Sequence, residues 1–312
     1  MNSFNYTPSR GEFTHEGILW NAYTTLDILK KISNFKFLPS DIVVNTFPRS
    51  GTTLTQEIIW HIKNKDMIKK GEKYGDIDPR FPFLEFNSKF YGIDVPYPID
   101  VLETKQNDRY RLIKTHCPLN YIRPNLLESL PKCIVVFRNP RDVCVSLFHF
   151  YCGMKLFGPW PGTWEEFLEM FQRGYTKCGS WVGWNSDWLQ EIGIEKMEEV
   201  PSQVTSKGSL PVLYFSFEML LKKPKIVIES IAEFLDESLT DEQMDIILHN
   251  SNFKQMSSDD NLNVEDDITG FRFLRQGQIG NWKNYFKEQQ LITFQKLVEK
   301  KTDDLGIQFE YE

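Results

Sequence analysis

Cysteine is sparse in this chain. Its 312 residues include five, at positions 117, 133, 144, 152 and 178, a scattered odd set without a Cys-x-x-Cys pair. Structural zinc and thiol redox chemistry are therefore not expected. Cys133 and Cys144 lie in apolar stretches, where cysteine packs as a small hydrophobe, which suits structural thiols in a reducing compartment. Cys133 and Arg138 enclose four residues, one short of a tyrosine-phosphatase loop. Long apolar runs are lacking as well. None reaches membrane-spanning length, and MNSFNYTPSRGEF offers no apolar signal-peptide core, so a cytoplasmic chain without a membrane partner is expected. Positive charge is in deficit: the net charge of −7 argues against nucleic acid as a partner. No internal repeat or low-complexity linker divides the chain, so one domain spanning 1–312 is expected.

Aromatic residues are plentiful. With 24 Phe, 12 Tyr and 8 Trp in a chain 41% hydrophobic, there is material for a sizeable core and for a lined pocket. Four short apolar runs, 41–46, 110–115, 133–138 and 211–217, have the form of strands buried on both faces. Helical periodicity follows at 53–63, 141–151, 164–173, 224–235 and 240–248. This alternation predicts an α/β chain with a doubly wound parallel sheet flanked by helices, whose ligands sit beyond the carboxyl ends of the strands. Arg49, Lys114-Thr115-His116 and Arg138 all fall at that edge. Residues 64–108 are expected to form a long excursion over the site, 257–272 a polar lid, and 195–209 a surface insertion.

The most informative stretch is 45–56, NTFPRSGTTLTQ, set between the strand Ile42-Val43-Val44 and an amphipathic run. A strand, tight loop and helix aim backbone N–H groups and the helix dipole at one point, where an anion fits. Ser50, Thr52 and Thr53 add hydroxyl donors, Gly51 permits close backbone approach, and Arg49 brings fixed charge. The loop lacks the Gly-x-x-x-x-Gly-Lys-Ser/Thr spacing of the nucleotide P-loop, so it predicts a phosphate or sulfate cradle of another kind. Alone, it also fits a capped helix with a surface arginine.

Three further segments follow in order: RLIKTHCPL at 111–119, CIVVFRNPRDVCVSLFHFY at 133–151 and FRFLRQGQIGNWKNYF at 271–286. With PRSGTT they resemble the cytosolic sulfotransferase family, whose donor is 3′-phosphoadenosine 5′-phosphosulfate (PAPS). Weaker echoes occur at PFLEF (82–86), PGTWEEFL (161–168), CGSW (178–181), LPVLYFSFEMLLKKP (210–224) and SNFKQM (251–256). The resemblance covers roughly residues 35–290 and implies a single-domain, P-loop-kinase-like sulfotransferase fold. It also implies PAPS as co-substrate, its product PAP, and no metal.

Sulfuryl transfer needs donor anchoring, neutralised charge at the bridging oxygen and a base for the acceptor's proton. His116, just after a strand and titrating near neutrality when unperturbed, is the expected base. Lys114 projects to the same side of the strand and matches the lysine that contacts the transferred group. Arg49 replaces the usual lysine of Tyr-Pro-Lys-Ser-Gly-Thr-Thr but matches the loop of tyrosylprotein sulfotransferases, and is assigned to the leaving phosphate. Arg138 and Ser146 match the 3′-phosphate ligands, joined by Arg275-Gln276-Gly277, where Arg-Lys-Gly is usual. Asp142 is expected to cap its helix. Gly280 and Trp282 continue the pattern, with Asn281 in place of Asp. For adenine, Leu54 stands where a stacking Trp is common and Phe217 where a Tyr is common, while Ser251 and Phe253 match a Thr-x-Phe element. The family's dimer motif is broken after Lys283 by Lys287, Glu288 and Ile292, which implies a monomer or a different dimer.

For the acceptor, the matching regions offer Phe13, Phe81, Phe83, Phe86, Tyr91, His149, Phe157, Trp160 and Trp164, with Glu85, Asp94 and lid acids. Phe83, Glu85, His149 and Trp160 are the selected contacts. Aromatics imply a small, partly apolar acceptor, and acids favour a cationic one. Two alternatives stay open: a PAP-binding protein that has lost transfer, and a nucleotide kinase-like enzyme, which would need a P-loop lysine and a Mg²⁺-binding acid.

Overall fold

The structure, a computed structural model, describes residues 12–21, 23–87, 96–106, 108–154, 160–194, 200–266, 269–303 and 309–312. An antiparallel ribbon of β1 (Phe13–His15) and β2 (Ile18–Trp20) precedes the main sheet. That sheet contains β3 (Ile42–Thr46), β4 (Leu112–Thr115), β5 (Lys132–Phe137), β6 (Ser202–Thr205) and β7 (Pro211–Ser216), in the order β4-β3-β5-β7-β6. The first four neighbours run parallel and β6 pairs antiparallel with β7. The α-helices are α1 (Leu26–Ser33), α2 (Thr52–Lys63), α3 (Ile77–Arg80), α4 (Pro98–Thr104), α5 (Leu119–Ser129), α6 (Pro140–Gly153), α7 (Trp164–Gln172), α8 (Trp181–Ile192), α9 (Phe217–Lys222), α10 (Pro224–Phe234), α11 (Asp241–Asn250), α12 (Phe253–Ser257), α13 (Glu288–Phe294) and α14 (Lys300–Asp303).

Period-two alternation in the central strands builds two cores, one on each face. Val43, Ile113, Val135 and Val212 pack with α1 and α5 to α8, whereas Ile42, Val44, Leu112, Ile134 and Leu213 pack with α2, α10 and α11. All four expected strands are present and parallel. The fifth, β6, lies inside the segment expected to be a surface insertion. Its sequence, SQVT, is a half-exposed edge too polar to stand out, and it is held by its pairing with β7. The adjoining Ser206 hydroxyl donates to Glu191 at 2.7 Å. Residues 195–199 lie outside the described residues. Helices α1, α5 and α8 were also not foreseen; α5 carries an internal Pro124, and α8 is dominated by tryptophan rather than by a clear polar face.

At the amino end of the sheet, Arg111 is locked to Asp41 through Nε–Oδ1 (2.7 Å) and Nη2–Oδ2 (2.6 Å), and it also donates to the carbonyls of Leu102 and Lys36. At the carboxyl end, the chain leaves β3 for β4 on one side and then returns to β5 on the other. This reversal opens a crevice at the sheet edge. Residues 82–84 of the long excursion strap onto the outer edge of β4, with Lys114 N–H donating to Pro82 O and Leu84 N–H to Lys114 O, both at 2.9 Å. Among the described residues no helix is long and apolar enough to cross a membrane.

Candidate active site

The loop between β3 and α2 is shaped by two residues in the left-handed region, Arg49 (φ 69°) and Gly51 (φ 99°). Gly51 is needed here: a Cβ would sit 2.5 Å from Cδ2 of Phe217, which lies over the loop. The Ser50 hydroxyl is buried and has no hydrogen-bond partner among the described residues. Thr52 and Thr53 open α2, and the Thr52 hydroxyl lies 2.7 Å from that of Thr46.

Three guanidinium groups converge on this loop. Arg49 donates from Nε to Ser146 Oγ (3.1 Å) and from Nη2 to Phe273 O (2.9 Å), with the rings of Phe150 and Phe273 about its plane at 5.0 and 4.8 Å. Arg138 donates from Nη1 to Arg49 O (2.7 Å) and lies 4.3 Å from the centre of the Phe217 ring. Desolvation, followed by the nearby charges of Arg138 and Arg275, lowers the pKa of Arg49 to about 9. Burial likewise lowers the pKa of Arg138 and of Arg275. Like charges held together at one loop, with Glu218 and Asp142 the carboxylates acting on Arg138, make a site for a polyanion.

Asp142 does not cap its helix. Asn139 does, accepting from the Asp142 N–H at 2.8 Å. The Asp142 carboxylate reaches outward instead and accepts from the backbone N–H groups of Gly280 (2.8 Å) and Trp282 (3.1 Å). It thereby ties Arg275-Gln276-Gly277 to the start of α6. Gly277 (φ 58°) lies against Phe253, and with its amide oxygen turned inward Asn281 accepts from Arg275 Nη2 at 2.7 Å. The Ser251 hydroxyl donates to Ile247 O at 2.7 Å.

His116 follows β4 and is buried. Its Nδ1 lies 2.7 Å from Thr46 O, and a carbonyl can only accept, so Nδ1 carries the proton and Nε2 has the free lone pair. Burial, followed by the charge of Lys114, pulls the pKa down to about 3, so the resting imidazole is neutral. Lys114 lies 4.2 Å from the centre of the Phe83 ring, and burial lowers its pKa. Phe83 meets the His116 ring edge-on at 5.2 Å and clusters with Tyr23, Phe86, Phe150 and Met154. Sequence alone had missed Thr46, Tyr23 and Phe150. Thr46 acts through its carbonyl, which every residue has, and the two aromatics come from elements distant in sequence.

Three of the expected acceptor contacts have partners within the chain. Glu85 is fully buried and accepts from His116 N–H (2.5 Å) and Thr115 Oγ (2.8 Å), so its carboxylate is engaged with β4 and not offered to an acceptor. His149 is 2.5 Å from the Tyr285 hydroxyl through Nε2. Trp160 packs on Phe167 and donates to Thr163 O, at the start of α7. Tyr91, Asp94 and Phe157 lie outside the described residues.

The sulfotransferase domain family matches residues 39–306. The chain belongs to the sulfotransferase family. Among curated sulfotransferases it is 35% identical over 271 residues to Sulfotransferase 1A1 of Mus musculus, covering 83% of this chain and 84% of the relative. To Sulfotransferase 1B1 of the same species it is 34% identical over 286 residues, covering 90% and 88%. In fold it is similar to a mouse sulfotransferase solved with PAP (TM-score 0.72, 23% identity, 95% and 97% covered). A retinol dehydratase solved with androsterone and PAP gives TM-score 0.75 at 24% identity, with 92% and 88% covered. The sulfotransferase fold thus accounts for the switch-point crevice. Among the described residues, no group of three or more His, Cys, Asp or Glu side chains is arranged to hold a metal ion.

Proposed function

We propose that this sulfotransferase moves a sulfuryl group in line from PAPS to a hydroxyl or an amine or amide nitrogen of a small molecule, with His116 as the base. The observation that carries this is the juxtaposition of Arg49, Arg138 and Arg275 around a buried, unpartnered Ser50 hydroxyl, beside a neutral imidazole with a free Nε2. An anionic nucleotide fits these residues, since it would supply the charge and the acceptor oxygens they lack. Ser50, Gly51, Thr52 and Thr53 would hold its 5′ phosphosulfate. Arg138, Ser146, Arg275, Gln276 and Gly277 would hold the 3′-phosphate, and Phe217, Ser251 and Phe253 the base. PAPS brings an activated sulfuryl group to that cradle. Arg49 and Lys114 would balance the charge that gathers on the oxygens during transfer, and His116 Nε2 would take the acceptor's proton.

The chain acts as one domain, 1–312, in the cytoplasm, with a core of about residues 35–290 and with 64–108 and 257–272 covering the site. Phe271, set against Gly153 and Phe150, supports the placing of the second segment. Among the described residues, several of the acids behind the expectation of a cationic acceptor have partners of their own. Asp260 and Glu265 pair with Arg272, and Glu85 is buried on β4. The aromatic cluster around Phe83 favours an acceptor with a flat or apolar body.

The test is the melting temperature with PAP beside ADP and AMP. PAP at ~100 times its dissociation constant should stabilise by roughly 2.7 kcal/mol, a shift of a few degrees for a chain this long. Equal shifts with AMP would count against the assigned 3′-phosphate pocket.

A further inference from the structure

Glu85 is a fully buried carboxylate that the transfer chemistry above does not use. It belongs to the strap that joins the edge of β4, and each of its oxygens is committed. Oε1 accepts from the backbone N–H of His116 and Oε2 from the Thr115 hydroxyl, which in turn accepts from Cys117 N–H at 3.0 Å. The strap is itself anchored, because Thr24 Oγ1 donates to Glu85 O at 3.0 Å. The carboxylate therefore grips the residue on either side of the peptide that carries the base, and does so from within the fold.

The charges around it point the same way. Lys114 interacts with Glu85 electrostatically, while Arg49 and Asp78 act on Lys114. The other titratable groups facing Glu85 are the thiols of Cys117 and Cys178, whose pKa values burial holds well above the ordinary thiol value, so they stay neutral. His116 is neutral at rest but gains a proton whenever it acts as base, close to Lys114 and Arg49. A third positive charge in so dry a corner needs an anion.

We propose that Glu85 is a positioning residue of the sulfuryl-transfer site: it fixes His116 at the end of β4 and supplies the negative charge against which Lys114 and the protonated base are held. This rests on the proposed function and goes beyond it, since Glu85 touches neither donor nor acceptor. Both oxygens receive hydrogen bonds, which favour the ionised carboxylate, while burial pushes its pKa up to about 7, so its charge is present on the alkaline side of neutrality, where the Lys114 midpoint is read. An amide keeps most of that geometry without the charge, because its oxygen can still accept from His116 N–H and its nitrogen can donate to Thr115 Oγ. Glu85→Gln therefore separates charge from shape, and Glu85→Ala removes both.

The experiment compares wild type, Glu85→Gln and Glu85→Ala in two ways. One is transfer from PAPS to a panel of 2-naphthol, 4-nitrophenol and tyramine, followed against pH. The other is NMR titration of ¹³C-labelled lysine, which reads Lys114 without any turnover. The expected result is a kcat loss of about 10-fold in Glu85→Gln and about 100-fold in Glu85→Ala, with PAP affinity retained. Removing an anion disfavours the protonated amine, so the Lys114 midpoint and the alkaline limb of kcat should both move to lower pH in Glu85→Gln, by about half a unit or more. A merely structural glutamate would lower the height of the profile without moving it. An unmoved Lys114 midpoint, or Glu85→Gln turnover within about threefold of wild type, overturns the inference. A wild-type chain that transfers to none of the panel and binds PAP no better than AMP overturns the proposed function instead, whatever Lys114 does.

Discussion

Because the Nδ1–H of His116 is committed to the Thr46 carbonyl, proton transfer runs through Nε2. His116→Ala should lower kcat by about 10²–10⁴ and leave the calorimetric affinity for PAP unchanged. The pH dependence follows from the surroundings of the ring. Burial and the Lys114 charge lower its pKa to about 3, and a base works only when unprotonated. The acid limb of kcat/KM for the acceptor should therefore lie well below the ordinary imidazole value of ~6.5. A limb near that value would contradict His116 as the base. Arg49, Lys114, Arg138 and His116 were legible in the sequence because each sits beside a strand end in a motif. Glu85 was read as an acceptor contact, and its engagement with β4 was not legible, since nothing in PFLEF tells which way its carboxylate turns.

At the level of elements, the donor loop depends on one tight approach. With φ at 99° and Phe217 across from it, Gly51 leaves no room for a side chain. Gly51→Ala should cost roughly 1–3 kcal/mol of stability and abolish measurable PAP binding, checked by thermal melting and calorimetry. The four parallel strands could be found from sequence because both of their faces are buried, which makes them continuous apolar runs. Strand β6 could not, because pairing with β7 rather than its own composition makes it a strand. The cap of α6 shows the same limit: Asn139 and Asp142 are both good capping residues, and the distant Gly280 and Trp282 amides decide which one is free to do it.

For the whole molecule, the end of the sheet away from the site bears on stability. Arg111 and Asp41 are almost wholly buried, so Arg111→Ala strands a carboxylate and should cost about 3–5 kcal/mol, seen in chemical denaturation, with PAP affinity intact below the transition. The surface that follows the donor site bears on assembly. Ile292 is 53% exposed and Lys287 reaches Glu165 of its own chain, in the segment where the family's dimer motif is broken. Ile292→Glu should leave the mass measured by light scattering unchanged; a drop would show that this segment joins two copies.

The sequence by itself determined the fold class, the four parallel strands and the family, because periodicity and motif spacing are local and survive as one-dimensional patterns. Tertiary structure alone decided which nitrogen of His116 is free, how Glu85 is engaged, where Phe150 and Phe273 meet Arg49, and that β6 is a strand. Each of these depends on groups brought together from distant parts of the chain, often through backbone atoms, and no local pattern encodes such a meeting.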